Sequence, residues 1–316
     1  MSICEEMPGA YPHSPFIALK PNHISVCICT FKRAELLKAL LARLENQRTD
    51  GQFTYSVVVA DNDSMRSAEP VVAAFSSTNQ MSVTYCIEPE QNIALARNKA
   101  LQNAEGNYIA FIDDDEFPAN DWLLNLFNTR VSYDVDGVFG PVKPHFEIDP
   151  PDWVKKGEFF ERPTHATGYR MNWNEARTGN VLFSRNILTE VNTAFRSEFD
   201  TAGEDVDFFR RMMGQGHKFV WCNEAVVFEV VPSSRCNRRY LLKRALLRGS
   251  NFPKHPTHRL KNATKSLIAV PCYLLALPIL AMLGQHVFLK YLIKLFDHAS
   301  RLLAYLGLRL VTQRET

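Results

Sequence analysis

The chain has 316 residues, of which 46% are hydrophobic and 22% charged, with a net charge of +2. That length suffices for one large domain with an appendage. The near-neutral balance gives no overall electrostatic case for nucleic acid, and none is expected as a partner.

In chain order, residues 1–22 hold early acids and several prolines but no apolar h-region. They are expected to be an N-terminal extension rather than a signal peptide. Residues 24–30 read as a strand and 34–46 as an amphipathic helix. Cys27 and Cys29 alternate on that strand as small core residues. Seven scattered cysteines with no C-x-x-C pair fit a reducing compartment. A second strand over 55–60 ends at Asp61-Asn62-Asp63-Ser64, and 70–75 reads as helical. A third strand spans 81–87, and a helix covers 93–104. Strands alternating with helices predict an α/β domain with a mostly parallel sheet covered on both faces. Ligands of such sheets bind beyond the carboxyl ends of the strands. Polar residues 30–33, 61–63 and 113–115 cluster at those ends, so one crevice is expected to collect them.

The most informative segment is Asp113-Asp114-Asp115, which closes a buried strand over 106–112. Crowded carboxylates repel unless a cation neutralises them. Mg²⁺ and Mn²⁺ take oxygen ligands and complete their shells with substrate phosphates. The other reading is a solvated turn that caps a helix at 122–127. Residues 141–177 mix prolines, charges and aromatics such as Trp153 and Trp173, as an ordered loop region would. A strand follows at 178–183 and a helix at 205–214, just after Gly203-Glu204.

Four motifs in this order resemble the inverting glycosyltransferases of family two, which have the GT-A fold. They are Cys27-Ile28-Cys29-Thr30-Phe31-Lys32-Arg33, Gln91-Asn92-Ile93-Ala94-Leu95-Ala96-Arg97-Asn98, Phe111-Ile112-Asp113-Asp114-Asp115-Glu116 and Gly203-Glu204-Asp205-Val206-Asp207. Within the family the likeness is greatest to bacterial exopolysaccharide transferases of the succinoglycan type. The resemblance implies that Thr30, Arg33, Asp61, Asp63, Asn92, Arg97, Asp113 and Asp114 bind a nucleotide-sugar donor, a UDP-sugar. It makes Asp115 the direct ligand of Mn²⁺ or Mg²⁺, with Asp113 and Glu229 as further metal ligands. Glu229 stands where many relatives carry a metal-ligating His. Asp205 is the expected base that deprotonates the acceptor hydroxyl. Glu204 is expected to assist it and to bind acceptor, with Gly179 and Asn180 lining the acceptor pocket. A nucleotidyltransferase would instead show a Gly-rich loop after the first strand, and Thr30-Phe31-Lys32-Arg33 has none. A catalytically silent membrane scaffold is the rival from another class.

Ten Lys/Arg and no Asp or Glu fall between residues 235 and 265. The uncharged stretch 267–284 follows, broken by Pro271 and Pro278, and is long enough to cross or enter a bilayer. Residues 287–310 have the pattern of an interfacial amphipathic helix. Basic flanks favour the cytoplasmic face of the bacterial inner membrane. A lipid-linked saccharide is the expected acceptor, with Arg235, Arg238, Arg239, Lys243 and Arg244 as candidates for its pyrophosphate. The expected organisation is therefore a catalytic domain over 23–235 and a membrane-associated helical region over 236–316.

Overall fold

The computed structural model describes residues 22–199, 203–251, 259–308 and 310–311. The first stretch alternates strictly: β1 (His23–Thr30), α1 (Ala34–Leu44), β2 (Thr54–Asp61), α2 (Glu69–Thr78), β3 (Val83–Ile87), α3 (Ile93–Asn103) and β4 (Tyr108–Ile112). Shorter elements follow: β5 (Glu116–Pro118), α4 (Trp122–Tyr133), β6 (Gly137–Phe139), β7 (Val142–Phe146), α5 (Asp152–Gly157), β8 (Asn180–Ser184), α6 (Glu204–Gly214), β9 (Phe219–Trp221) and β10 (Val227–Val231). A 3-10 turn at Ser233–Arg235 leads into α7 (Arg238–Asn251), α8 (Arg259–Met282) and α9 (Gln285–Tyr305).

Seven strands form the main sheet in the order β3-β2-β1-β4-β8-β6-β9. All its neighbours pair in parallel except across β8, which is antiparallel to both β4 and β6. The mostly parallel expectation therefore holds. The period-2 alternation of the strands divides the core into two layers. Ile24, Val26 and Ile28 of β1 face one layer with Leu37, Leu40, Leu41 and Leu44 of α1 and Trp122 of α4. Cys27 faces the other with Ala100 of α3 and Phe208 and Phe209 of α6. Both faces of β1 are thus covered, which explains its nearly unbroken apolar run.

Three-residue β5 and five-residue β7 flank β10 in a second, three-stranded sheet. Its register sets Glu229 of β10 opposite Glu116 of β5 and Pro144 of β7. Only β5 of this small sheet directly follows the aspartate triplet, and none of its three strands is read from the sequence.

The C-terminal helices divide in character. The apolar side of α9, expected to lie in a membrane interface, is instead used within the protein. Leu289 is buried with Val154 of α5 and Leu241 of α7, and Leu292 and Ile293 pack on the same cluster. Ser266 of α8 and His298 of α9 share a buried hydrogen bond of 2.9 Å. The segment Ala263–Met282 of α8 has a mean hydropathy of 1.8, yet only 6% of it is buried. Leu267, Ile268, Leu274, Leu275, Ile279 and Met282 are all exposed.

Candidate active site

The crevice forms where β1, β2 and β4 end together. Thr30 at the end of β1 is in register with Asp61 at the end of β2. After β1 the chain turns through Lys32 at φ 54°, which puts Arg33 at the N-terminus of α1. From there Arg33 and Thr30 both reach the triplet. Thr30 Oγ1 donates to Asp114 Oδ2 at 2.8 Å, and Arg33 Nη1 donates to Asp114 Oδ1 at 2.9 Å. Burial pushes the Asp114 carboxyl up to about 6, opposed by the Arg33 charge. Asp115 Oδ2 accepts from Arg33 at 3.2 Å and from Arg235 Nη2 at 3.4 Å. Among the described residues no donor reaches Asp115 Oδ1. The Asp113 side chain is 46% exposed and lies 3.7 Å from Arg97 Nη2.

Glu116 closes the floor. It is buried, accepts from the Asp113 N–H at 3.1 Å, and burial holds its pKa well above the usual range. Gly179 lies against it: a Cβ there would meet Glu116 Oε1 at 2.8 Å and Asp113 Oδ2 at 3.3 Å. A side chain at Gly179 would press on both carboxylates, so the backbone can approach them only because it is glycine.

Arg97 ties the two sides of the crevice together. It is buried on α3, and its guanidinium pairs with Glu204 at the start of α6 as well as with Asp113. Burial opposes the cation, but Glu204 and then Asp113 more than offset it, so the pKa rises above the ordinary value. Gly203, at φ 104°, makes the left-handed turn into α6. Acids at a helix N-terminus are favoured by the backbone dipole, and here each has a separate surrounding. Glu204 is buried on Arg97. Asp207 is buried and pairs with Arg210 at 3.1 Å, Arg211 at 2.9 Å and Arg196 at 3.7 Å. Asp205 is partly exposed and, among the described residues, makes no ion pair. It is therefore the carboxylate of this turn that remains available to a ligand.

Several expected ligand residues already have partners within the protein. Asp61 is fully buried: it accepts from the N–H groups of Asp63 (3.0 Å) and Ala68 (2.8 Å) and from the Tyr85 hydroxyl (3.0 Å). Asp63 Oδ1 accepts from Met65 N at 3.2 Å, a side-chain turn of the Asx kind. Asn92 caps α3, accepting from Ala94 and Leu95, and its Nδ2 donates to Ser197 O at 3.0 Å. Asn180 is buried, accepts from Trp122 Nε1 at 2.8 Å and donates to the carbonyls of Pro141 and Ala225. Its side chain holds β8 to the segments beside it, and Gly179, also buried, is the one of the pair that lies against Glu116 and Asp113. Glu204, expected to bind acceptor, is turned onto Arg97. Glu229, expected to ligate metal, pairs through Oε2 with Arg162 and through Oε1 with Arg235 at 3.4 Å. Both its oxygens are thus taken by guanidinium groups.

A family model described as glycosyl transferase family 2 matches residues 25–199. The chain belongs to that family. The chain is 32% identical over 255 residues to the succinoglycan biosynthesis protein ExoM of Rhizobium meliloti, covering 78% of this chain and 80% of that protein. It is 24% identical to the hyaluronan synthase of Pasteurella multocida over 259 residues, 70% of this chain but only 26% of that much longer protein. Among solved structures, the mannosyltransferase PcManGT of Pyrobaculum calidifontis, in complex with GDP-Man and Mn²⁺, aligns with a TM-score of 0.59 at 20% identity. That match covers 90% of this chain and 86% of the other. Staphylococcus aureus TarS 1-349 in complex with UDP aligns with a TM-score of 0.51 at 19% identity, over 71% of this chain and 64% of the other. The fold is therefore that of the GT-A glycosyltransferases.

In this family 2 protein the residues fit a divalent cation that shares its ligands with a phosphate. No group of three His, Cys, Asp or Glu among the described residues is close enough to hold an ion unaided. Asp115 Oδ1 and the half-exposed Asp113 offer hard oxygens, and Mg²⁺ commonly takes one or two carboxylates plus substrate phosphates. Arg162 was missed in the sequence, and Arg235, read there only as a candidate for a lipid pyrophosphate, also reaches Asp115 of the aspartates. Arg162 lies in the irregular stretch after α5 and reaches Glu229 from 67 residues away, and Arg235 in the turn after β10 reaches Asp115 from 120 residues away, gaps that no local pattern bridges.

Proposed function

We propose that this family 2 protein is a metal-dependent, inverting hexosyltransferase. It takes a sugar from a UDP-sugar and adds it to a hydroxyl of a lipid-linked saccharide, in the synthesis of a bacterial exopolysaccharide or other cell-surface polysaccharide. The observation that carries this reading is the Arg97 bridge. One buried guanidinium pairs with Asp113 of the strand-end triplet and with Glu204. Asp205, the adjoining residue, then faces the same crevice as the aspartates. Similarity to ExoM supports the polysaccharide assignment, and the UDP held by TarS supports the donor.

In this reading Asp205 takes the proton of the acceptor hydroxyl. The freed oxygen attacks C1 of the sugar, and the C1–O bond to the diphosphate breaks with its electron pair leaving on the diphosphate. Arg97 holds Glu204 away from that proton, so the two acids do not compete. Thr30 and Arg33 hold Asp114, which keeps the triplet splayed with Asp113 and Asp115 outward. Bound with the diphosphate, Mn²⁺ or Mg²⁺ would supply neutralisation of its charge, held by Asp115 and Asp113.

The exposed apolar length of α8 supports a lipid contact, and its basic flanks support the cytoplasmic face of the inner membrane. The catalytic domain ends near residue 235 and the helical region carries it to the membrane.

Calorimetric titration of UDP with Mn²⁺ and then with EDTA tests the donor site. Metal-dependent binding is expected, and Asp115→Ala should remove the metal dependence. Asp205→Asn should lower transfer by about 10³-fold, within the range of general-base contributions, while UDP affinity stays within about twofold. Loss of UDP binding in a folded Asp205→Asn protein would remove it from the role of base.

A further inference from the structure

We propose that Arg162 and Arg235 form a diphosphate clamp, held ready by Glu229. The proposal rests on the donor-site reading above and assigns two residues that this reading does not use.

Three guanidinium groups meet two carboxylates at one edge of the crevice. Arg162 pairs with Glu229, Arg235 pairs with both Glu229 and Asp115 at 3.4 Å, and Arg33 reaches the same Asp115 oxygen at 3.2 Å. Arg33 also pairs with Asp114 at 2.9 Å, so the three guanidinium groups balance three carboxylates, Asp114, Asp115 and Glu229, at a strand end dense in carboxylate. Two of the guanidinium groups lie beside Asp115, where a diphosphate would have to lie to share a cation with it.

The geometry of the Arg235 pairs is that of a waiting state. Charge-assisted N–H···O bonds are about 2.7–2.9 Å when optimal. Both Arg235 contacts are longer, and each uses only one nitrogen toward its partner. A guanidinium presents five donors in a planar fork that matches phosphate oxygens two at a time. Arg235 and Arg162 can therefore exchange a single-point contact with carboxylate for bidentate contact with phosphate. Their side chains are 18% and 37% exposed, so neither is sealed from a ligand. Glu229, by contrast, sits on the central strand of the three-stranded sheet, with β5 on one side and β7 on the other. The anchor is rigid, and the two arms come from irregular segments.

Arg235 also ends the 3-10 turn that leads into α7. One face of the clamp thus belongs to the donor crevice and the other to the helices that carry the exposed apolar surface. The shared chemistry is a diphosphate ester, which either a nucleoside diphosphate or a prenyl diphosphate supplies.

The test is calorimetric titration of the full chain in EDTA with inorganic pyrophosphate, UDP and farnesyl diphosphate. Wild-type protein should bind pyrophosphate without metal, and the affinity should fall as salt rises. Arg235→Gln and Arg162→Gln should each weaken it at least about fivefold, and Arg235→Lys should fall between. Glu229→Gln keeps the shape of the anchor but removes a charge, and should tighten metal-free binding about two- to threefold. If the glutamine variants lose UDP and farnesyl diphosphate binding together, the clamp serves both esters. Loss of one alone assigns it to donor or acceptor. Variants that melt as wild type and bind all three probes within twofold of it would overturn the proposal. In that case, intact Mn²⁺-dependent UDP binding would leave the transferase reading standing. Failure of wild-type protein to bind UDP under any condition would count against that reading instead.

Discussion

Leu37, Leu40, Leu41 and Leu44 of α1 are withdrawn from solvent, whereas Leu274, Leu275, Ile279 and Met282 of α8 are between 55% and 86% exposed. Both helices are rich in leucine, so composition alone does not decide their fate. α1 shows its leucines on one stripe and meets a sheet face of matching apolar residues. α8 is apolar on most sides, and α9 can cover only part of it. A soluble monomer rarely leaves such a contiguous apolar surface open, which is why lipid is the partner proposed for α8. The catalytic domain shows the converse. It buries charges as freely as leucines, provided each has a partner: Arg97 with Glu204, Asp207 with three arginines.

Removal of a partner should break this comparison most sharply. Arg97→Met strips Glu204 of its counter-charge inside the protein. A loss of about 3–5 kcal/mol in unfolding free energy is expected, as for other broken buried pairs, and denaturant titration in detergent will measure it. A near-neutral result would mean that the bridge does not hold the two motifs together. Next comes a matched pair of leucines. Leu41→Ala in α1 should cost about 2–5 kcal/mol, whereas Leu275→Ala in α8 should stay within about 0.5 kcal/mol in detergent. Equal costs would show that α8 is covered by protein after all. For the membrane side, Ile279→Lys should leave unfolding unchanged but weaken recovery with anionic vesicles, at a cost of about 2.5–3.5 kcal/mol if the helix spans. Co-flotation equal to wild type would remove α8 from the bilayer. The smallest effect is expected at Asn92→Ala, which deletes the α3 cap at about 1 kcal/mol. Its UDP affinity should be unchanged, because the Asn92 side chain is already spent on Ala94, Leu95 and Ser197.

Much of the parallel sheet was legible because its signals are local. The apolar runs at 24–30, 55–60 and 108–112 are strands by period and length, and the aspartates mark where one of them stops. The pairing of β5, β7 and β10 was not legible. β7 and β10 are joined only through contacts across more than eighty residues, and three to five residues of alternation carry little pattern. The site divided in the same way. Thr30, Arg33, Arg97 and the aspartates could be read as a group from their motifs. Whether Asp61, Asn92 or Asn180 would face a ligand or its own backbone could not, since the same amide or carboxylate serves both. Asp61 satisfies three donors around its turn, and that demand shows only once Tyr85 and Ala68 are seen beside it. The pairing of Glu229 with Arg162, 67 residues away, shows only in the folded chain.

The reversed direction of β8 has a consequence for how such a protein can diversify. A strand that runs against its neighbours begins where they end, so Ile112 at the close of β4 faces Asn180 at the opening of β8. The long irregular stretch before β8 is thereby delivered to the rim of the crevice, pinned at its exit by the Trp122–Asn180 bond. Apart from Arg162, that stretch can change in length outside the sheet without disturbing the strands that end at Thr30 and Asp61. Change is thus easiest at this rim of the crevice, while the strand ends that hold Thr30, Asp61 and the aspartates stay as they are.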